Sequence, residues 1–512
     1  MAALATHVES SADATEFTFY LRGHPRPKGV RLPDLDDLRR EFESGISRED
    51  YSHGVPSPPQ AIPAHWSNGT AVTAEDFVRA WRRVVDPKTA APLANILYSV
   101  LNAEAINRGI LKPEALGVRA LGQFAFQVRL SRPTPFFVLL TSVPVLAALP
   151  PQVSGGPAGC AGQAFWTDPN CMIGNGPFLL RSWRPYDRLV LVNNPHYYAA
   201  QLIRLGRIVL LPVADGTTNV NIYKAGYAQT MVDKVLPTAF IRVLKTKADF
   251  RTNPLLRVGF YSISIHKRPF DNVLVRYALN MAVDKRAIAA ALGAGQTAAA
   301  TFIPPVRGYT ISATLPIAVR GNSYDVLAYD PAGARDLLAA AGFPGGIAAN
   351  GRRLRFSLLY PSRPRSAELA QILQQQWHTN LDVDVDLNQR EHTVWSQALL
   401  TQDFYGVAED SWVAGYVDPN AFLESYTTVN ASGWSDPQYA AMLTTANSTA
   451  TPDERLGRLA DCEQYLLRAM PMIPVYFDVA TYLQRPYLRG LSANALGMRS
   501  FRCTWIDTAW RP

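Results

Sequence analysis

The segment from His65 to Pro87, H-W-S-N-G-T-A-V-T-A-E-D-F-V-R-A-W-R-R-V-V-D-P, constrains the fold of this chain more than any other. Asn68-Gly69 predicts a tight turn, because both residue types tolerate positive φ. Thr73 is placed to cap a helix, and Asp76, three residues on, sits beside the unpaired N–H groups of the first turn. Phe77, Trp81, Val84 and Val85 then recur on one helical face. Asp86-Pro87 ends the helix, since the residue before a proline is pushed out of the α region. The segment therefore reads as a turn, a short strand and a capped amphipathic helix with an apolar face to bury.

With 512 residues the chain is long enough for two or three domains. It is 48% hydrophobic and 18% charged, the balance of a globular protein. The net charge of +8 is thinly spread, with no basic block beyond pairs such as Arg82-Arg83 and Arg352-Arg353. That pattern predicts a solvated surface and no nucleic-acid partner. The most apolar run, Phe136 to Pro150, is interrupted by Thr141, Ser142 and Pro144 and is too short to cross a bilayer. No signal peptide is readable in the opening M-A-A-L-A-T-H-V-E-S-S.

No G-x-S-x-G, H-E-x-x-H or phosphate-binding loop is present, and no two of the eight histidines share metal-ligand spacing. Neither an enzyme, a metal nor a cofactor is expected. Asp382, Asp384 and Asp386 alternate, which predicts one solvated strand face. Four cysteines lack C-x-x-C spacing. Cys160 and Cys171 bracket a loop and could close as a disulfide in an oxidising compartment, or stand as two unpaired small residues.

Strands and helices interleave along the chain. Residues 15 to 22, Phe124 to Leu130, Asn175 to Trp183 and Arg188 to Tyr198 read as strands, as does Val258 to Ile265. Helices are expected at Asp34 to Ser44, as two short pieces in Tyr223 to Phe240, across Asn272 to Leu292, and at Pro331 to Gly342 and Pro452 to Met470. Strands at Arg353 to Tyr360 and Leu381 to Leu387 flank a helix at Ser366 to Thr379, a βαβ pattern that implies a parallel pair. The class is mixed α/β in two lobes.

The opening segment resembles the W-S-D-G-x-P-V-T-A-x-D-F-V-x-x-W-x-R-x-x-D-P signature of family 5 solute-binding proteins, the peptide-binding components of ATP-binding-cassette importers. Further matches follow in order: Phe17 to Arg22, Pro133 to Phe137, Asn175 to Phe178, Asn194 to Tyr198, Tyr223 to Gly226, Pro269 to Leu279, Trp412 to Pro419 and Ile473 to Tyr476. The resemblance covers nearly the whole chain. It implies a bilobed periplasmic-binding-protein fold, type II-like in its large three-region variant, with discontinuous lobes and a hinge. Residues 1–22, 172–256 and 475–512 would form the core lobe, 23–171 an inserted small domain and 257–474 a second, ligand-closing lobe. It further implies a monomer at the periplasmic or extracellular face of the membrane. Such a protein binds peptide between the lobes through main-chain hydrogen bonds and delivers it to a permease.

Three departures bear on function. The chain begins just before F-T-F-Y-L-R, so the opening strands of the core lobe are expected to be missing, and a truncated relative that no longer functions is an alternative reading. In Trp412, Val413, Ala414, Gly415 and Tyr416, Gly415 stands where the family's peptide binders carry an aspartate that pairs with the ligand α-amine. Either Glu409 or Asp410 substitutes, or the ligand has no free amino terminus and is a modified peptide or another solute such as an opine or a glycan. His392 takes the place of the groove tryptophan that follows N-Q-E, and Arg257 and Val413 occupy the positions of a family disulfide, for which Cys160–Cys171 is a candidate local replacement.

Overall fold

The structure, a computed structural model, describes residues 4–32, 62–155, 160, 166–231 and 236–511. The expected helix at Asp34 to Ser44 lies outside them. Two compact units emerge, the first comprising residues 1–234, 483–494 and 498–512, the second 235–482 and 495–497.

In the first unit, β1 (Ala5–Ser10), β2 (Glu16–Leu21), β3 (Val30–Arg31), β4 (Val118–Ala120) and β5 (Ala125–Arg129) form an antiparallel sheet in the order β3-β1-β2-β5-β4. The sequence reading had not assigned β1, whose short A-T-H-V-E-S run alternates weakly. Helix α1 (Ala74–Val85) packs on this sheet. Phe77, Trp81, Val84 and Val85 are all buried, as their spacing predicts. Burial of each such side chain contributes roughly 1.5–3 kcal/mol. The Phe126 ring of β5 meets Phe77 at 5.5 Å and Trp81 edge-on at 5.0 Å, while the Trp81 indole donates to Leu146 O at 3.0 Å. β6 (Phe178–Arg184), β7 (Arg188–Asn193) and β8 (Arg207–Leu210) form a second, antiparallel sheet in this unit. Cys160 and Cys171 are joined by a disulfide, their Cα atoms 5.2 Å apart.

The second unit is built on a six-stranded sheet. In sequence it comprises β9 (Phe250–Ile263), β10 (Thr297–Ala298), the parallel pair β13 (Arg355–Pro361) and β14 (Asp384–Arg390), β15 (Gly406–Val413) and β16 (Met472–Leu483). A hairpin of β11 (Pro316–Val319) and β12 (Asn322–Asp325) lies outside it. The order is β10-β16-β9-β15-β13-β14. Helices α2 (Val273–Met281), α3 (Pro331–Ala340), α4 (Pro364–Leu381), α5 (His392–Thr401), α6 (Pro437–Ser448) and α7 (Pro452–Ala469) interleave with these strands. The βαβ expectation holds: β13 and β14 run parallel from Arg355↔Asp384 to Pro361↔Arg390, with α4 between them in sequence. Buried Trp377 of α4 ties this crossover to α2, its indole donating to Leu279 O at 2.9 Å.

Several boundaries differ from those expected, each for a local reason. Asn272 to Leu292 is two helices, because the Asp284 carboxylate caps a new start at Lys285 by accepting from Ala287 N. The first helix expected to begin at Tyr223 in fact ends there, spanning Gly216–Lys224 under an Asp215 cap. β9 begins eight residues before the predicted Val258, running through Pro254, which reads as a breaker. Asp382 caps α4 in the left-handed region with φ of 55°, so only Asp384 and Asp386 lie on β14.

Candidate functional site

The site begins at β15, whose strand period of two deals its side chains to opposite faces. Register with β9 sets Glu409 against Tyr261, Ser411 against Gly259 and Val413 against Arg257. These residues share one face. Asp410 and Trp412 go to the other, with Phe260 and Ser262.

On the first face charged groups gather around a buried carboxylate. Asp478, from β16, is almost fully covered (1% exposed) and lies 3.1 Å from Arg365 Nη2 and 3.7 Å from Arg257 Nε. It also accepts from Gln296 Nε2 at 3.3 Å and from its neighbour's amide, Val479 N, at 3.0 Å. Arg257 adds a bond from Nη2 to Ser411 Oγ at 3.3 Å. Arg365 lies 5.0 Å from the centre of the Tyr476 ring, and that ring rests on Gly259, where a Cβ would overlap it. Burial works against the Arg365 charge, but Tyr476, Asp478 and Glu409 outweigh it and raise the guanidinium pKa.

Glu409 accepts from Ser366 Oγ at 2.8 Å, while its Oε2 is buried with no hydrogen-bond partner among the described residues. The buried Tyr261 hydroxyl opposite likewise has none. Burial raises the Glu409 pKa, against the opposing pull of Ser366 and of Arg365, Arg363 and Arg257. Beyond it, Arg363 donates to His392 Nδ1 at 3.0 Å, and His392 stacks on Trp395 with ring centres 5.2 Å apart. The Trp395 indole donates to Glu409 O at 3.1 Å.

Asp410 faces the other way. It accepts from Ser262 Oγ at 3.1 Å and Ser411 N at 2.7 Å, and burial pushes its pKa up to about 7. Trp412 is half-buried and donates to Ala421 O at 2.6 Å. Ala414 and Tyr416 point inward, at 4% and 2% exposure, with Tyr416 Oη accepting from Asn420 Nδ2 at 2.8 Å. Val413 and Gly415 are exposed. Among the described residues, none beyond its two chain neighbours has a heavy atom within 4 Å of where a Cβ on Gly415 would stand. Just beyond, Asp418 and Arg455 form a buried two-pronged pair at 2.8 and 2.9 Å.

The structure thus brings Glu409, Val413 and His392 to one strand face and its rim. It turns Asp410 and Trp412 to the opposite face, and uses Ala414 and Tyr416 for packing. Sequence reasoning had not singled out Arg365, Asp478, Tyr261 or Trp395.

The family description Bacterial extracellular solute-binding proteins, family 5 Middle, matches residues 63–434. The chain is 31% identical over 507 residues to the periplasmic oligopeptide-binding protein OppA of Salmonella typhimurium, covering 92% of this chain and 89% of that one. It is 29% identical over 509 residues to the periplasmic murein peptide-binding protein MppA of Escherichia coli, at 94% and 91% coverage. Among solved structures, the Escherichia coli murein tripeptide binding protein MppA aligns with a TM-score of 0.73 at 27% identity, over 98% of this chain and 89% of that one. Haemophilus influenzae OppA in complex with the peptide RPPGFSPFR aligns with a TM-score of 0.73 at 26% identity, over 99% and 90%. The fold is that of these periplasmic binding proteins.

Proposed function

Because the chain belongs to the bacterial extracellular solute-binding proteins of family 5, we propose that it captures peptides or peptide-like solutes and delivers them to the permease of an ATP-binding-cassette importer. It does so as a monomer at the periplasmic or extracellular face of the membrane, with the segment Trp412–Tyr416 at the ligand. The sequence match to oligopeptide- and murein peptide-binding proteins over nine-tenths of the chain carries the reading. The division into a core lobe, an inserted domain at 23–171 and a closing lobe at 257–474 belongs to the same proposal.

Gly415 supports a narrower ligand class. A family aspartate at this position would pair with a free α-amine, and a hydrogen bond to a charged group is worth about 1.5–3 kcal/mol, one to two decades of affinity. The preferred ligand therefore lacks a free amino terminus. Titration calorimetry with tri- to pentapeptides is expected to give tighter binding for N-blocked than for free forms. Gly415→Asp, which enters open space, is expected to reverse that order. Micromolar binding of free peptides with no gain on blocking would sink the narrower class, and native mass spectrometry showing a purified protein with no peptide-like ligand and no peptide uptake would sink the broader one.

A further inference from the structure

Arg257 stands where this strand pair would otherwise be cross-linked, and its surroundings carry more than packing. It faces Val413 directly across β9 and β15, and the backbone continues the pairing, with Ala414 N donating to Leu256 O at 2.9 Å. The Arg257 side chain is one-third exposed. Its charge is only partly compensated. Asp478 Oδ1 takes Arg365 at 3.1 Å together with Gln296 and Val479 N, whereas Arg257 meets Oδ2 only at the longer 3.7 Å. The other carboxylate on this face, Glu409, is bonded to Ser366 and sits among the same arginines. Among the described residues of this face, three guanidiniums, Arg257, Arg363 and Arg365, thus face two carboxylates, and of the three only Arg257 pairs across the strands with exposed Val413, two residues before the Cβ-free Gly415. Asp410, the remaining acid on the strand, is turned away to Ser262.

From this arrangement we infer that Arg257 reads an anionic group on the ligand: the solute presents a carboxylate towards Val413 and Gly415, where an ammonium would be expected in a free peptide. This rests on the reading of the chain as a peptide-capturing protein. Two physical effects work together. A guanidinium donates a charge-assisted, two-pronged hydrogen bond to a carboxylate. The same charge repels an ammonium brought to the open space beside Gly415, so the discrimination has both an attractive and a repulsive part. Arg257 is a specificity-determining residue, and Asp478 and Ser411 are positioning residues that orient its fork.

The test uses trialanine and pentaalanine, each with a free, an N-acetylated and an N-succinylated amino terminus, titrated calorimetrically into the full chain. The succinyl forms are expected to bind ten- to a hundredfold more tightly than the acetyl forms, with the free amines weakest and the gap shrinking as salt is raised. Arg257→Gln should collapse the succinyl-to-acetyl ratio towards one, and Arg257→Lys should keep most of it. A ratio near one in the unmodified protein, tightest binding of the free amines, or a ratio unchanged by Arg257→Gln would each overturn the inference while leaving peptide capture intact. Failure of all six peptides to bind a folded protein would instead overturn the functional reading beneath it.

Discussion

Two segments of this chain are made from the same ingredients. His65–Pro87 in the first unit and Trp412–Pro419 in the second each carry a tryptophan, a glycine and a terminal Asp-Pro. In the first, polar chemistry is turned inward. Buried Asp76 accepts from the Trp66 indole at 3.0 Å and from Thr73 N at 2.9 Å, pairs with Arg79, and closes the capping box at the start of α1. Gly69 has φ of 84°, a conformation that side chains resist. In the second, the ends are tied down by Trp412 to Ala421 and by Asp418 to Arg455, while the middle is left open and Gly415 is under no such conformational demand. A shared composition therefore hides two roles: one segment spends its polar groups on the fold, and the other keeps an unfilled position between two anchors.

The largest expected effect falls on an anchor of the second segment. Arg455→Met should lower stability by about 3–5 kcal/mol, since it strands the buried Asp418 carboxylate; urea unfolding measures it, and a loss below about 1 kcal/mol would make that segment open throughout. Asp76→Ala comes next, at about 2–4 kcal/mol, because it leaves the Trp66 and Thr73 donors unpaired in a buried site. The same urea experiment, followed by near-ultraviolet dichroism of the tryptophans, reads it. A third comparison sets the units apart by pH. Burial pushes Asp410 and Glu463 up to about 7 and Lys285 down to about 7, all in the second unit. The raised acids contribute stability that is complete below about pH 4 and lost as pH rises through 7. The lowered lysine contributes stability that is complete above about pH 10.5 and lost as pH falls through 7. The second unit should therefore be least stable near neutrality, by on the order of 1–3 kcal/mol. Glu463→Gln should flatten the fall in urea midpoint between pH 5 and 7, and Lys285→Met the rise between pH 7 and 9. The smallest effect is the sharpest contrast: Gly69→Ala should cost about 1–2 kcal/mol through its left-handed backbone, and Gly415→Ala less than about 0.5 kcal/mol. Equal costs would remove the distinction between the two glycines.

Much of the scaffold was legible because its signals are local. The capping residues Thr73 and Asp76, the apolar period of α1 and the β13-α4-β14 alternation all lie within a few turns or strands of one another. What escaped had a contrary local signal or none. Gly216–Lys224 contains Thr217, Thr218 and Val220, poor helix formers, and is held by its Asp215 cap. The first half of β9 carries Pro254. The charged face was invisible for a different reason: Asp478 meets Arg365 across 113 residues of sequence and Arg257 from a third strand, and no spacing rule connects them. In the sequence Arg257 signals only the loss of a family cysteine; its position opposite Val413 comes from the β9–β15 register.

The empty volume beside Gly415 also bears on how a lineage could change its diet. Here a codon change from glycine to alanine, serine or aspartate adds atoms into vacant room and strains no neighbour. Under the proposed ligand role, such alleles would differ in preference at little cost to the fold, so a shift in available nutrients would select among receptors that fold alike.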